Sequence, residues 1–247
     1  MTNDDIESFK AGQADVSSGA PALLIIPARD EESSIERVIQ NVREAAHCPI
    51  LVIDDASSDQ TARKARKAGA RVLSLAIHSG PWAAAQTGLR YAQKNGLHPV
   101  VTMDGDGQHM ARHIPRLVDA LRQKNAEVAI GAFPERGSVG RKTAWVFFRA
   151  VTGLSLRDMT SGFRAYSQKA IALLSSGEAS LLDYQDIGVI LALKKNRLKI
   201  CEVSAPMAPR ASGRSKIFHS WPAVLKYVVY SVLLSISQTP VFYQRKP

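Results

Sequence analysis

Five short apolar runs, ALLII (22–26), ILVI (50–53), RVLSL (71–75), PVVTM (99–103) and EVAIG (127–131), recur along the first half of the chain. Between them lie longer segments of helical period: ESSIERVIQNVREAA, SDQTARKARKAG, a stretch through AAAQTGLRYAQKNG, and HIPRLVDALRQKN. A strand that is apolar at nearly every position, rather than at alternate ones, must be covered on both faces, and a helix between successive strands supplies the crossover that parallel pairing needs. The pattern predicts an α/β fold: a mostly parallel sheet with helices on both faces. Ser57 or Ser58 is the expected cap of the second helix, with Asp59 in its first turn and Gly69 ending it.

Sheets of this kind bind ligands at the carboxyl ends of their strands. After the first run come Pro27, Arg29, Asp30, Glu31 and Glu32; after the second, Asp54 and Asp55; after the fourth, Asp104 and Asp106. Any one of these acids could be a turn or capping residue. Three acid-bearing strand ends on one edge point instead to shared work. Asp104 and Asp106, two residues apart, suit one divalent cation, with Gln108 as a neutral oxygen donor. Oxygen ligands favour Mg²⁺ or Mn²⁺, commonly shared with substrate phosphates. Gly105 is expected to let the backbone turn tightly between the carboxylates.

Other readings of D-G-D-G remain open on the residues alone. A calcium loop of the EF-hand type starting at Asp104 requires glutamate at its twelfth position, which is Pro115, so that reading fails. A haloacid-dehalogenase-type phosphatase also begins strand-D-x-D-G, but there the motif follows the first strand and continues with Thr or Val where this chain has Gln108. A plain glycine-rich turn is the third.

At 45% hydrophobic and 22% charged over 247 residues, the chain has the balance of a folded domain. Cys48 and Cys201 have no neighbouring Cys/His cluster, so neither a zinc site nor a disulfide framework is implied. Residues 1–20 have no positive start and no apolar core, which predicts a cytoplasmic protein with a flexible acidic tail rather than a secretory signal. The formal net charge is +10 even though the tail sets Asp4, Asp5, Glu7 and Asp15 against Lys10 alone. The excess concentrates in residues 194–216, where Lys194, Lys195, Arg197, Lys199, Arg210, Arg214 and Lys216 face only Glu202. An anionic partner follows. No zinc finger, aromatic RNA-binding motif or GxxG context supports nucleic acid. The segment 221–242 is the most apolar, but Lys226 interrupts it, which predicts a C-terminal helix over 219–247 lying on a membrane surface rather than spanning it.

IIPARDEESSI, LVIDDASSDQTA, MDGDGQH, DMTSGFRAYS and APRASGRSKI stand in order between residues 21 and 218. This succession resembles family 2 glycosyltransferases of the GT-A fold, and within them the dolichyl-phosphate mannose synthase-like, polyprenyl-phosphate glycosyltransferase branch. The usual motifs are P-x-Y-N-E, V-D-D-x-S-x-D-x-T, D-A-D-x-Q-H, D-x-T-S-G-F-R and R-x-x-G-x-S-K. Here Arg29 and Asp30 replace Tyr and Asn, and Gly105 replaces Ala.

The resemblance implies a Rossmann-like GT-A catalytic domain over 21–218. It implies an inverting, metal-dependent transfer of a sugar from a nucleoside-diphosphate sugar to a polyprenyl phosphate at the cytoplasmic membrane face. Pro27, Arg29, Glu31, Asp54 and Asp55 would then hold the nucleotide, joined by Asp104; Asp104, Asp106 and Gln108 would bind Mg²⁺ or Mn²⁺. Ser161, Arg164 and Arg141 would line the acceptor side, and Arg210 and Lys216 would engage phosphate charge; the arginine the family often has after the fifth strand is missing after Phe133, and Arg136, Arg141 or Lys142 would replace it. A saccharide acceptor is the alternative, for which Asp186 is the reserve base, and His109 is read as structural before catalytic. Trp82 and Trp145 are read as core residues. An anionic membrane surface, and room for a separate membrane protein, complete the expected partners.

Overall fold

The computed structural model describes residues 21, 23–136, 156–182 and 187–208. Among them run β1 (Leu23–Ala28), α1 (Ile35–Ala46), β2 (Ile50–Asp54), α2 (Thr61–Lys67), β3 (Arg71–Ser74), α3 (Pro81–Lys94), β4 (Val100–Thr102), α4 (Ile114–Gln123), β5 (Val128–Ala132), β6 (Arg164–Tyr166), α5 (Gln168–Leu174), α6 (Ile187–Lys195) and β7 (Ile200–Ser204). Short 3-10 turns at Ala111–His113, Pro134–Arg136 and Glu178–Leu181 complete the elements.

The strands form one seven-stranded sheet in the order β3-β2-β1-β4-β6-β5-β7. All neighbours pair in parallel except β6, which runs antiparallel to both β4 and β5. Successive residues of β1 go to opposite faces, as strand geometry requires. Leu23 and Ile25 join Trp82, Leu89, Ile171 and Ile190 in one core. Leu24 and Ile26 join Ile35, Val38, Ile39, Val42, Leu117 and Val118 in the other. Helix α1 buries residues 35, 38, 39, 42 and 46, the stripe of an amphipathic helix on a sheet. Each fully buried Leu or Ile contributes about 1.5–3 kcal/mol, and both faces of β1 are filled with them.

The expected second-helix cap is corrected. The N-cap residue of α2 is Gln60, without a side-chain capping bond. Ser57 and Ser58 serve Asp30 instead, while Asp59 Oδ1 accepts from Thr61 N at 2.9 Å. Gly69, at φ 89°, follows the helix end as expected.

From β1 the chain winds outward through β2 to β3, then returns to place β4 on the other side of β1. The carboxyl ends of β1 and β4 therefore flank a topological switch point, where α/β sheets open a crevice. Cys48 and Cys201 are both free. Burial pushes the Cys48 thiol up to about 12 and raises that of Cys201, so neither is a ready nucleophile. Among the described residues no helix is long and apolar enough to cross a membrane.

Candidate active site

The loop after β1 is sewn to the loop after β2. Asp30 N donates to Ser57 Oγ (3.0 Å), Glu31 N to Thr61 Oγ1 (2.8 Å) and Glu32 N to Asp59 Oδ2 (3.1 Å). In return, Asp30 Oδ1 accepts from Ser58 N at 2.8 Å. Asp30 sits at φ 51°, a left-handed conformation that Asn and Asp tolerate better than other residues with a side chain. That conformation explains why Asp substitutes for the Asn of the usual motif. Arg29 lies 3.6 Å from Asp30 in an exposed ion pair. Pro27 pairs with Ile53 inside the sheet, and the hydroxyl of buried Ser34 lies 3.1 Å from Glu31 Oε2 and 2.8 Å from Gly105 O. Glu31 is thus tied to the loop that follows β4.

At the end of β2, Asp54 accepts from Ser57 N at 3.2 Å. Asp55 is deeply buried and accepts three bonds from one loop: Ser79 N at 2.7 Å, Gly80 N at 3.0 Å and His78 Nδ1 at 2.7 Å. It therefore holds the β3–α3 connection, where Gly80 takes φ 92° before Pro81 starts the helix. The half-exposed imidazole of His78 is the part of this cluster that reaches solvent. The sequence reading missed His78, whose link to Asp55 spans 23 positions and leaves no local signal.

After β4, Asp106 Oδ1 accepts from Gln108 N at 3.0 Å, closing a tight acidic turn. The glycine that needs freedom here is Gly107, at φ 77°, not Gly105. A Cβ on Gly105 would meet Ala28 Cβ and Ile26 Cγ2 at 3.5 Å, an ordinary contact, so the Ala of the usual motif fits there. Asp104 is half-exposed; its Oδ2 lies 3.1 Å from His109 Nε2, and its carboxylate faces Gly162 so closely that a Cβ there would sit 2.5 Å from Oδ1. Among the described residues no group of three or more His, Cys, Asp or Glu encloses a cation site. Two carboxylates on one short loop nevertheless fit Mg²⁺ or Mn²⁺ that takes its remaining ligands from water and substrate phosphates.

The T-S-G-F loop lies against the end of β4 and against Asp104. Thr102 Oγ1 donates to Gly162 O at 2.8 Å, and buried Asp158 accepts from Phe133 N, Thr160 N and Thr160 Oγ1. Asp158, which the sequence reading passed over, pins the end of β5 to this loop. Ser161 and Arg164, expected to line the acceptor side, both lie behind the surface of this loop. Both are fully buried, and Arg164 spends Nε on Ser161 O (2.7 Å) and an Nη on Met159 O (3.1 Å), so it stiffens the loop. Trp82 is a core residue as expected, donating Nε1–H to Ala179 O at 2.7 Å. Arg141, Lys142, Trp145, Asp186, Arg210, Lys216, the side chain of Arg136, the tail 1–20 and the segment 219–247 lie outside the described residues.

A family model described as glycosyl transferase family 2 matches residues 23–173. The undecaprenyl-phosphate mannosyltransferase of Micrococcus luteus is 29% identical over 215 residues, covering 79% of this chain and 86% of that protein. The polyprenol monophosphomannose synthase of Mycolicibacterium smegmatis is 28% identical over 215 residues, covering 79% and 80%. Among solved structures, glucosyl-3-phosphoglycerate synthase from Mycobacterium tuberculosis, crystallised with Mn²⁺, uridine diphosphate and glucosyl-3-phosphoglycerate, superposes with a TM-score of 0.67 at 21% identity, covering 94% of this chain and 84% of that one. At that identity the likeness is one of fold.

Proposed function

This chain belongs to glycosyl transferase family 2, and from that premise we propose that it moves a sugar from a nucleoside-diphosphate sugar to a polyprenyl phosphate, with a divalent cation and with inversion. It is a glycosyltransferase of the GT-A architecture. Membership overturns the phosphatase alternative, whose D-x-D follows the first strand; here Asp104 follows β4. The observation that carries the proposal is the carboxylate edge: Glu31, Asp54, Asp55, Asp104 and Asp106 follow three adjacent strands, cross-linked through Ser34, Ser57 and Thr61. The names of the two curated relatives support a lipid-phosphate acceptor and make mannose the first sugar to test.

In the proposed reaction an oxygen of the acceptor phosphate attacks the anomeric carbon. The bond from that carbon to the donor diphosphate breaks, and its electron pair leaves with the nucleoside diphosphate. A cation bound by Asp104 and Asp106 would supply charge neutralisation of the leaving diphosphate. The chain's own residues position: Pro27, Arg29, Glu31 and Asp54 border the nucleoside, and Asp55 keeps the His78–Gly80 loop against it. Gln108 would be the third oxygen donor to the cation, and Arg210, Lys216 and Arg141 would be the basic residues that meet phosphate charge. An acceptor phosphate is already anionic, so no dedicated base is needed. Lys194, Lys195, Arg197 and Lys199, with the apolar stretch 221–242, favour work at an anionic membrane surface.

The test is product analysis: incubation with a polyprenyl phosphate and a panel of nucleotide sugars with Mg²⁺ or Mn²⁺. Sugar appearing as an organic-soluble lipid phosphate supports the proposal. Sugar appearing only on a saccharide acceptor refutes the lipid assignment.

A further inference from the structure

The imidazole of His109 is 1% exposed, whereas the Asp104 side chain beside it is 44% exposed. Its Nε2 lies 3.1 Å from Asp104 Oδ2. An ionised carboxylate only accepts, so the proton on this contact is assigned to Nε2, which donates. The ring and the backbone that carries it are both held. The ring packs on Phe163 at 5.0 Å between ring centroids, its residue forms a β-bridge with Met207, and the preceding Gln108 O accepts from Ala208 N at 2.8 Å. Gly162 packs so closely on the Asp104 carboxylate that a Cβ there would lie 2.5 Å from Oδ1.

Resting on the cation reading above, we infer that His109 is a positioning residue that sets the Asp104 carboxylate in the orientation from which it binds the divalent cation. Aspartate has two side-chain torsions, and a half-exposed carboxylate without a fixed partner would sample several rotamers. A donor on Oδ2 and the Gly162 backbone close to the carboxylate restrict that sampling. Outer-sphere partners of ligating carboxylates act in this way on metal affinity. The same geometry removes His109 from consideration as a base, because its Nε2 is spent on Asp104 and its ring is buried.

The experiment is Mn²⁺ binding read by electron paramagnetic resonance, with saturating GDP or UDP, on the full chain. The wild type, His109→Phe and His109→Gln are compared, each with its melting temperature. His109→Phe keeps the ring on Phe163 but removes the donor. It is expected to weaken Mn²⁺ binding by about 10–100-fold while melting close to the wild type. His109→Gln restores an N–H donor and is expected to recover most of that loss. Equal Mn²⁺ affinity in the wild type and His109→Phe overturns the role of His109 while leaving the cation site standing. Absence of Mn²⁺ binding in the wild type overturns the cation reading and this inference with it. If His109→Phe fails to fold, His109→Met replaces it under the same criteria.

Discussion

Replacing Gly162 with alanine probes the site at the point where two chain segments come closest. An added Cβ would lie 2.5 Å from Asp104 Oδ1 and 3.0 Å from both Cγ and Oδ2. Gly162 does not have positive φ, so alanine brings no backbone strain. Relief must come from movement of the carboxylate, because Gly162 is anchored through Thr102 Oγ1 to its own carbonyl. To reach ordinary contact near 3.4 Å, Oδ1 must retreat by about 0.9 Å. Asp104 is short and half-exposed, so the movement costs little folding energy, but it takes the proposed cation ligand out of register. A misplacement of about 1 Å can cost roughly 10²-fold in rate. Gly162→Ala is therefore expected to lose about two orders of magnitude in sugar transfer while melting within a few degrees of the wild type. Gly105→Ala, whose Cβ would sit 3.5 Å from its neighbours, is the matched control and is expected to keep its activity. Steady-state transfer assays paired with thermal melts decide the matter. Full activity in Gly162→Ala, or an equal loss in Gly105→Ala, would refute the reasoning.

Three further perturbations test the frame around the site. Gly88→Ala in α3 would drive a Cβ to 2.5 Å from Ile25 Cγ2; overpacking of about 1–3 kcal/mol exceeds the helix-propensity gain of at most about 1 kcal/mol, so the melting temperature falls. Arg164→Met should cost about 1–3 kcal/mol by stranding buried carbonyls and leave the KM for acceptor unchanged; a raised acceptor KM without destabilisation would return Arg164 to the acceptor surface. His113 is buried with neither ring nitrogen hydrogen-bonded, and burial, then Arg112 and Arg116, lowers its pKa. The folded state therefore favours the neutral ring, and its contribution to stability is lost as pH falls below the unfolded value near 6.5. His113→Leu should show a smaller drop in urea midpoint between pH 7.5 and pH 5 than the wild type, and an equal drop would count against it.

The five apolar runs read from sequence all became strands, because burial on both faces leaves a continuous hydrophobic signal. Two strands had no such signal. β6 is only Arg-Ala-Tyr, and its arginine is buried through hydrogen bonds rather than hydrophobicity. β7 carries Glu202 and is only partly buried at the sheet edge. The acids at three strand ends were legible because each lies within a few residues of the end of an apolar run. What each acid touches was not: Asp55 with His78, and Asp104 with Gly162, join residues 23 and 58 positions apart, and only the fold brings them together. The roles expected of Gly105, Ser57 and Ser58 failed for a related reason. Local turn and cap rules name eligible residues, while long-range partners such as Asp30 decide which of them is used.

The central claim is that the carboxylate edge holds a nucleoside diphosphate through a divalent cation. Its most direct test is thermal denaturation of the wild type and Asp106→Ala with GDP or UDP, with and without Mn²⁺, since a ligand bound only by the native state raises its apparent stability. The account predicts a rise in melting temperature for the wild type that requires nucleotide and Mn²⁺ together, and no such rise for Asp106→Ala. An equal rise in Asp106→Ala, or one in the wild type that does not depend on Mn²⁺, would contradict it.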